Sequence, residues 1–268
     1  MLPPEGATRP SVACAPRLDP IGEPPQFSAA ERDTLYSVLR ARRDMRHFLP
    51  NTSVDAAVLQ RMLQAAHTAP SVGLMQPWRF IRIRDAALRA QIVQQVESER
   101  HKTAAAYTTR KAEFLQLKVE GLRDCAELLA VVQAPDDGTL FGRRTLAQET
   151  ALCSTACAIQ NLWLAARAEN LGLGWVSLFD PQALAALLGC PDGAKPIALL
   201  CLGPVAAFYP GPMLEQEGWR QGRPWHEFLF ENAWGESATR PSVACAPRLD
   251  PIGESATGSP VAEYQHDK

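Results

Sequence analysis

The chain has 268 residues, 46% of them apolar and 21% charged, with a formal net charge of −2. That composition suits a globular chain with a sizeable core and argues against a disordered or fibrous one. The near-neutral charge excludes a nucleic-acid binder that works through a basic surface. No apolar run approaches the roughly 18–20 residues that span a bilayer.

The first 23 residues hold five prolines and no apolar core, so no secretory signal is expected there. Residues 7–23, ATRPSVACAPRLDPIGE, recur letter for letter at 238–254. Neither copy shows helical or strand periodicity, and both are expected to be disordered tails, 1–26 and 236–268. A duplication without a role and a short binding element present twice both fit. Residues 27–235 are left as one domain by size.

Within it, Ser28 and Glu31 form an expected capping box, followed by Leu35, Val38 and Leu39 at helical spacing. A second helix carries Val58, Leu59, Met62, Leu63 and Ala66 on one face and stops at Pro70. Arg79 to Arg84 is expected as a strand with Ile81 and Ile83 on one side. Residues 86–123 are expected to be mostly helical, and Leu128 to Val132 a short strand. Residues 146–169 form the strongest helix, apolar almost all round, as a bundle core or a subunit interface requires. Gly172 and Gly174 are expected to end it, with a strand from Trp175 to Phe179. A helix from Pro181 to Leu188 and a buried strand from Ile197 to Gly203 follow. The Pro- and Trp-rich stretch after Pro204 is long for a loop, so it should pack on something, for which a partner subunit is one candidate. The expected class is α+β, with a small mixed central sheet surrounded by helices.

Seven cysteines are scattered with no C-x-x-C pair, and no metal site is expected. They are expected to pack as small hydrophobes in a reducing, cytoplasmic compartment. Three segments carry polar chemistry. Arg42, Arg43 and Arg46, around Asp44, can meet an anion with guanidinium forks or form a solvated basic helix end. Ser71, Gly73, Met75 and Gln76 lie in a helix-to-strand loop that could line a flat ligand or simply turn. Gly172 to Phe179 offers main-chain amides beside glycines, and no G-x-S-x-G elbow surrounds Ser177. P-loop and Rossmann glycine patterns are absent.

Taken together, RRDMRHF, APSVGLMQPWRF, STACAIQNLWLAARAENLGLGWVSLF, LCLG and GWRQ resemble the nitroreductase-like flavoproteins. Within that family the aspartate of RRDMR, SVGLMQPW and GWVSLF resemble the 5,6-dimethylbenzimidazole synthases. The resemblance runs from about Phe27 to Gly235. It implies FMN bound at the interface of an intertwined homodimer, each site built from both subunits. It implies that Arg42, Arg43 and Arg46 hold the phosphate and the pyrimidine edge of the ring, and that Ser71, Met75 and Gln76 lie beside it. Trp175, Val176 and Ser177 should face the reactive edge, and Arg220 should be a C-terminal phosphate ligand. Gly222 stands where these enzymes carry a second arginine, with Arg223 one position along.

For the synthases the resemblance implies that reduced FMN is the substrate. It is consumed with molecular oxygen to give 5,6-dimethylbenzimidazole, the lower ligand of cobalamin, and erythrose 4-phosphate. An external flavin reductase supplies the reduced FMN. Neither nucleic acid nor membrane is an expected partner. Residues 101–122 match the lid region. Asp44, standing where ordinary nitroreductases carry a hydroxyl residue, is the expected general acid and base, and Ser177 its helper. An NAD(P)H-dependent nitroreductase or quinone reductase is the alternative, and a non-catalytic flavin carrier a third reading.

Overall fold

The computed structural model describes residues 26–118, 120–142 and 144–234. Both copies of the repeated segment lie outside them. The chain divides into two units, Met1–Trp219 and Arg220–Lys268. In the first, strands β1 (Trp78–Ile83), β2 (Glu127–Gln133), β3 (Gly172–Val176) and β4 (Lys195–Gly203) form a sheet in the order β1-β2-β4-β3. Every neighbouring pair is antiparallel. The mixed sheet expected from the sequence is therefore corrected: among the described residues the one parallel element is an isolated bridge between Asp44 and Leu173. Around the sheet lie α1 (Ala29–Ala41), α2 (Ala56–His67), α3 (Ala86–Ala105), α4 (Lys111–Gln116), α5 (Ala147–Ala168), α6 (Pro181–Leu187) and α7 (Met213–Gln216).

The central strands read ELLAVVQ and KPIALLCLG, with no polar alternation, so both their faces need cover. Leu128, Ala130, Leu199 and Cys201 point one way, onto Ile92, Val93 and Val96 of α3 and Leu184 of α6. Leu129, Val131, Leu200 and Leu202 point the other way, onto Leu59 and Met62 of α2 and Ile159 and Leu162 of α5. Each fully buried leucine contributes about 2–3 kcal/mol from burial alone. Pro196 cannot donate to the ladder, and the register slips beside it: Val131 faces Ala198 while Val132 faces Pro196. The bulge accommodates a proline in an interior strand.

The helix signals in the sequence hold where a cap defines them. Ser28 Oγ accepts from Glu31 N–H, and the Glu31 carboxylate accepts from Ser28 N–H at 2.8 Å. Asp180 caps α6 through its own carboxylate. The helix expected over 86–123 breaks into α3 and α4. Ile81 and Ile83 share a face, as expected.

Two expectations about burial change. Helix α5 buries Ala158, Ile159, Leu162 and Ala166 but leaves Leu152, Cys153 and Cys157 exposed. Cys125 and Cys201 pack in the core as expected; Cys153 and Cys157 do not. Helix α1 has no buried residue, and its Leu35, Tyr36 and Leu39 are exposed. No helix among the described residues is long and apolar enough to cross a membrane.

The stretch after Pro204 packs, at least to Pro210, on its own chain. Leu49 N–H donates to Pro204 O at 2.9 Å, and Arg43 reaches the carbonyls of Tyr209 and Pro210. In the second unit, Arg223 pairs with Glu227 at 2.8 Å and lies over the Phe228 ring.

Candidate active site

At Arg42 the chain leaves α1 in an extended conformation and runs beside the free edge of β3. Met45 N–H donates to Leu173 O at 3.0 Å. The approach is so close that a Cβ on Gly174 would stand 2.0 Å from Met45 O, and one on Gly172 2.5 Å from Val205. This explains why β3 begins at Gly172 rather than at the expected Trp175. The glycines do not end the helix; they are the strand residues that let a second backbone lie against the edge.

That crossing delivers Asp44 to the end of β3. Its Oδ1 accepts from Trp175 N–H at 2.9 Å, and its Oδ2 accepts from Arg46 Nη2 at 2.5 Å. Arg46 Nη2 also donates to Trp175 O at 2.8 Å. The surrounding protein strips water from the Asp44 carboxyl and raises its pKa above the usual aspartate value. The Arg46 charge and the Trp175 N–H pull against that shift. The side chain is still 42% exposed, toward a cleft.

The cleft encloses about 370 Å³. Asp44, Arg46, Trp175 and Ser177 line one side, and Pro212, Met213 and Leu214 line it from another segment. Arg42 and Arg43 border it as well, with the Arg42 guanidinium 4.7 Å from the centre of the Trp163 ring. The side chain of Arg46 is only 10% exposed, and its Nη1 is buried with no hydrogen-bond partner. A cation with an unused buried donor, beside two more arginines, suits a ligand that brings acceptor atoms and negative charge. A flavin phosphate ester meets that description: its ring edge carries carbonyl acceptors and its tail a dianion.

The structure brings Arg42, Arg43, Asp44, Arg46, Trp175, Val176 and Ser177 to this one cleft. It does not bring Ser71, Met75 and Gln76 there. Met75 and Gln76 line a separate groove of about 820 Å³ between α2 and β1, together with His67. Strands β1 and β3 are the opposite edges of the sheet, so about three strand spacings, ~14 Å, separate the groove from the cleft. The loop at β1 is held by Gln76 N–H donating to Ser71 Oγ at 3.1 Å. Gly73, Leu74 and Gln76 all have positive φ, at 56°, 55° and 44°. A leucine in that region is strained, and here it is 79% exposed, so packing does not explain it. Arg220 lies in the second unit.

Sequence reasoning missed Tyr209 and the segment 212–214. Tyr209 Oη accepts from Arg46 N–H at 3.1 Å and is 2.6 Å from His47 Nδ1. The only signal was the inference that the stretch after Pro204 packs on something. In the expected lid, Tyr107, Phe114 and Trp219 form a ring cluster, with Arg110 3.8 Å above the Trp219 ring. Among the described residues no group of acidic, cysteine and histidine side chains could hold a metal ion.

The model of the Nitroreductase family matches residues 39–204. The chain is 41% identical over 201 residues to the 5,6-dimethylbenzimidazole synthase of Rhodobacter capsulatus, covering 74% of this chain and 96% of that protein. Its fold is similar to that of a BluB-like flavoprotein from Clostridium difficile, with a TM-score of 0.56 at 19% identity, over 73% of this chain and 97% of the other. It is also similar to iodotyrosine deiodinase bound to FMN and 3-iodo-L-tyrosine, with a TM-score of 0.55 at 23% identity, over 66% and 92% of the two chains. The resemblance drawn from the sequence motifs is borne out, and the chain belongs to the nitroreductase family.

Proposed function

We propose that this protein is a 5,6-dimethylbenzimidazole synthase that binds reduced FMN and, with molecular oxygen, fragments it to 5,6-dimethylbenzimidazole and erythrose 4-phosphate. The observation that carries the reading is the Asp44 carboxyl at the cleft, gripped by Arg46 and the Trp175 amide and raised in pKa by burial. The similarity to the Rhodobacter capsulatus synthase supplies the substrate class. The similarity to an FMN-bound structure supports the flavin.

When bound, reduced FMN supplies the electrons and the carbon skeleton that becomes product. The protein's part is positioning and proton transfer. Arg46 places a buried positive charge where the reduced ring carries negative charge. Asp44 holds or releases a proton, and its raised pKa brings that exchange closer to neutral pH. Ser177, exposed at the end of β3, is the second polar group within reach. Arg42 and Arg43 add positive charge at the cleft, and Arg220 is the proposed C-terminal phosphate ligand. The electrons come from an external flavin reductase.

The site needs two copies of the chain. Ser71, Met75 and Gln76 belong to a half-site at the far edge of the sheet, and a second copy would bring its own loop to the first copy's cleft. The exposed apolar residues of α1 and α5 are the surface available for that pairing.

The test is a product assay. Protein is supplied with reduced FMN in aerated buffer, and 5,6-dimethylbenzimidazole is sought by chromatography and mass. The Asp44→Asn variant keeps an acceptor for Trp175 N–H but cannot exchange a proton. Its rate is expected to fall by about 100-fold or more. Reoxidation to intact FMN by both proteins would sink the proposal and leave a flavin reductase.

A further inference from the structure

Arg43 sits in the motif expected to hold phosphate, yet its guanidinium is already spent. Nε donates to Tyr209 O at 3.1 Å and Nη2 to Pro210 O at 2.9 Å. Nη1 donates to Arg40 O at 2.6 Å and to Arg42 O at 2.8 Å. Four of the five donors of the fork meet backbone carbonyls. Two of those carbonyls end α1 and two belong to the segment that leads to Pro212, Met213 and Leu214 at the cleft.

We propose that Arg43 is a positioning residue, not a phosphate ligand: it clasps residues 208–214 in place as one wall of the cleft. The inference rests on the flavin reading only for what the cleft holds. The wall is held at several points: Arg167 lies 4.0 Å from the centre of the Phe208 ring, and Gln216 Nε2 donates to Gly211 O at 2.8 Å. At its far end, Arg110 lies over the Trp219 ring and donates to Trp219 O at 3.2 Å. At its near end, the Arg43 fork and the Tyr209 hydroxyl tie it to the Arg42–His47 segment. Between these anchors, the Pro210-Gly211-Pro212 sequence offers few amides with which to hold itself. A lysine could not replace the clasp, because a single ammonium cannot span carbonyls on both sides of the fork.

The roles separate in one experiment with two readouts on Arg43→Ala, Arg43→Lys and Arg42→Ala. The first readout is hydrogen exchange of the protein without flavin. Arg43→Ala and Arg43→Lys should each raise exchange of the 215–217 amides, which donate to Pro212 O and Met213 O of this segment, about tenfold while leaving β2 and β4 unchanged. The second is binding of oxidised FMN and of riboflavin, which lacks the phosphate, followed by fluorescence. Loss of a clasp weakens both flavins by about the same factor, roughly tenfold, whereas loss of a phosphate ligand weakens FMN alone. Arg42→Ala is the control expected to reduce the preference for FMN. A loss confined to FMN, rescue by lysine, or unchanged exchange at 215–217 would overturn the proposal. Wild-type protein that bound neither flavin would remove the flavin reading, while the exchange readout would still decide the clasp. Should Arg43→Ala fail to fold, Tyr209→Phe removes the neighbouring tie. It should raise exchange in the same segment by about threefold, and no change there would count against the clasp.

Discussion

The two edges of the sheet are built differently. At the β3 edge a second stretch of the same chain lies against the strand, and Asp44, Arg46 and Trp175 satisfy one another across it. At the β1 edge no further strand among the described residues pairs with Trp78–Ile83, and the preceding loop holds Leu74 exposed in a strained conformation. One edge is organised by its own chain; the other keeps strain and open surface that a single copy does not use. The difference teaches that the polar groups of the cleft are fixed within one chain, whereas those of the β1 loop stand in a groove of their own.

The largest effect should come from breaking the organised edge. Gly174→Ala forces a Cβ into Met45 O, a backbone atom that cannot swing aside as the end of a side chain could. Urea unfolding should show a loss of about 3 kcal/mol, at the upper end of overpacking costs. A loss below about 1 kcal/mol, the lower end of those costs, would mean that the 42–46 segment is held far more loosely than its hydrogen bonds indicate.

The next test concerns the open surface. Cys153 and Cys157 are exposed on α5, while Cys190 is half-buried. In an isolated chain the α5 pair should react first with iodoacetamide. If a second copy covers α5, the order reverses, and both should react about tenfold more slowly than Cys190. Peptide mapping of the alkylated protein gives the order directly. Faster labelling of the α5 pair, in protein that sediments as two copies, would place the interface elsewhere.

Sequence and structure agree where the signal is local. The Ser28–Glu31 box, the cap and proline that start α6, and the apolar runs of β2 and β4 are visible in a few consecutive residues. They disagree where a residue answers to a distant one. Gly172 and Gly174 resemble a helix terminator until the Asp44–Met45 segment is seen lying on them. The arginine motif leads to one cleft but cannot tell Arg43, turned to four carbonyls, from Arg46, with its unpartnered Nη1. Family motifs name residues without naming which surface each will line, and Gln76 falls in a groove apart from the cleft. Tyr209 carried no motif, since its role arises only where residues 204–210 return to the end of α1.

The smallest effect sharpens the account of the organised edge. Asp44 and Asp180 both accept backbone N–H bonds, Asp44 from Trp175 and Asp180 from Gln182 and Ala183 at the start of α6. Their pKa values move in opposite directions. The two amides lower that of solvent-exposed Asp180, whereas burial raises that of Asp44 despite its ion pair. A raised carboxyl contributes stability fully below its unfolded pKa and loses it as pH rises through the folded value. A lowered one contributes above its unfolded pKa and loses it as pH falls through the folded value. Unfolding free energies of wild type, Asp44→Asn and Asp180→Asn, taken from about pH 3 to 7, should therefore diverge with opposite slopes. Rising pH should cost the wild type stability relative to Asp44→Asn and gain it stability relative to Asp180→Asn. The Arg46 partner lost in Asp44→Asn adds only a constant, because a guanidinium keeps its charge across that range. Slopes of the same sign would mean that the Arg46 ion pair outweighs burial, leaving Asp44 an ordinary ionised carboxylate with no proton to give near neutral pH.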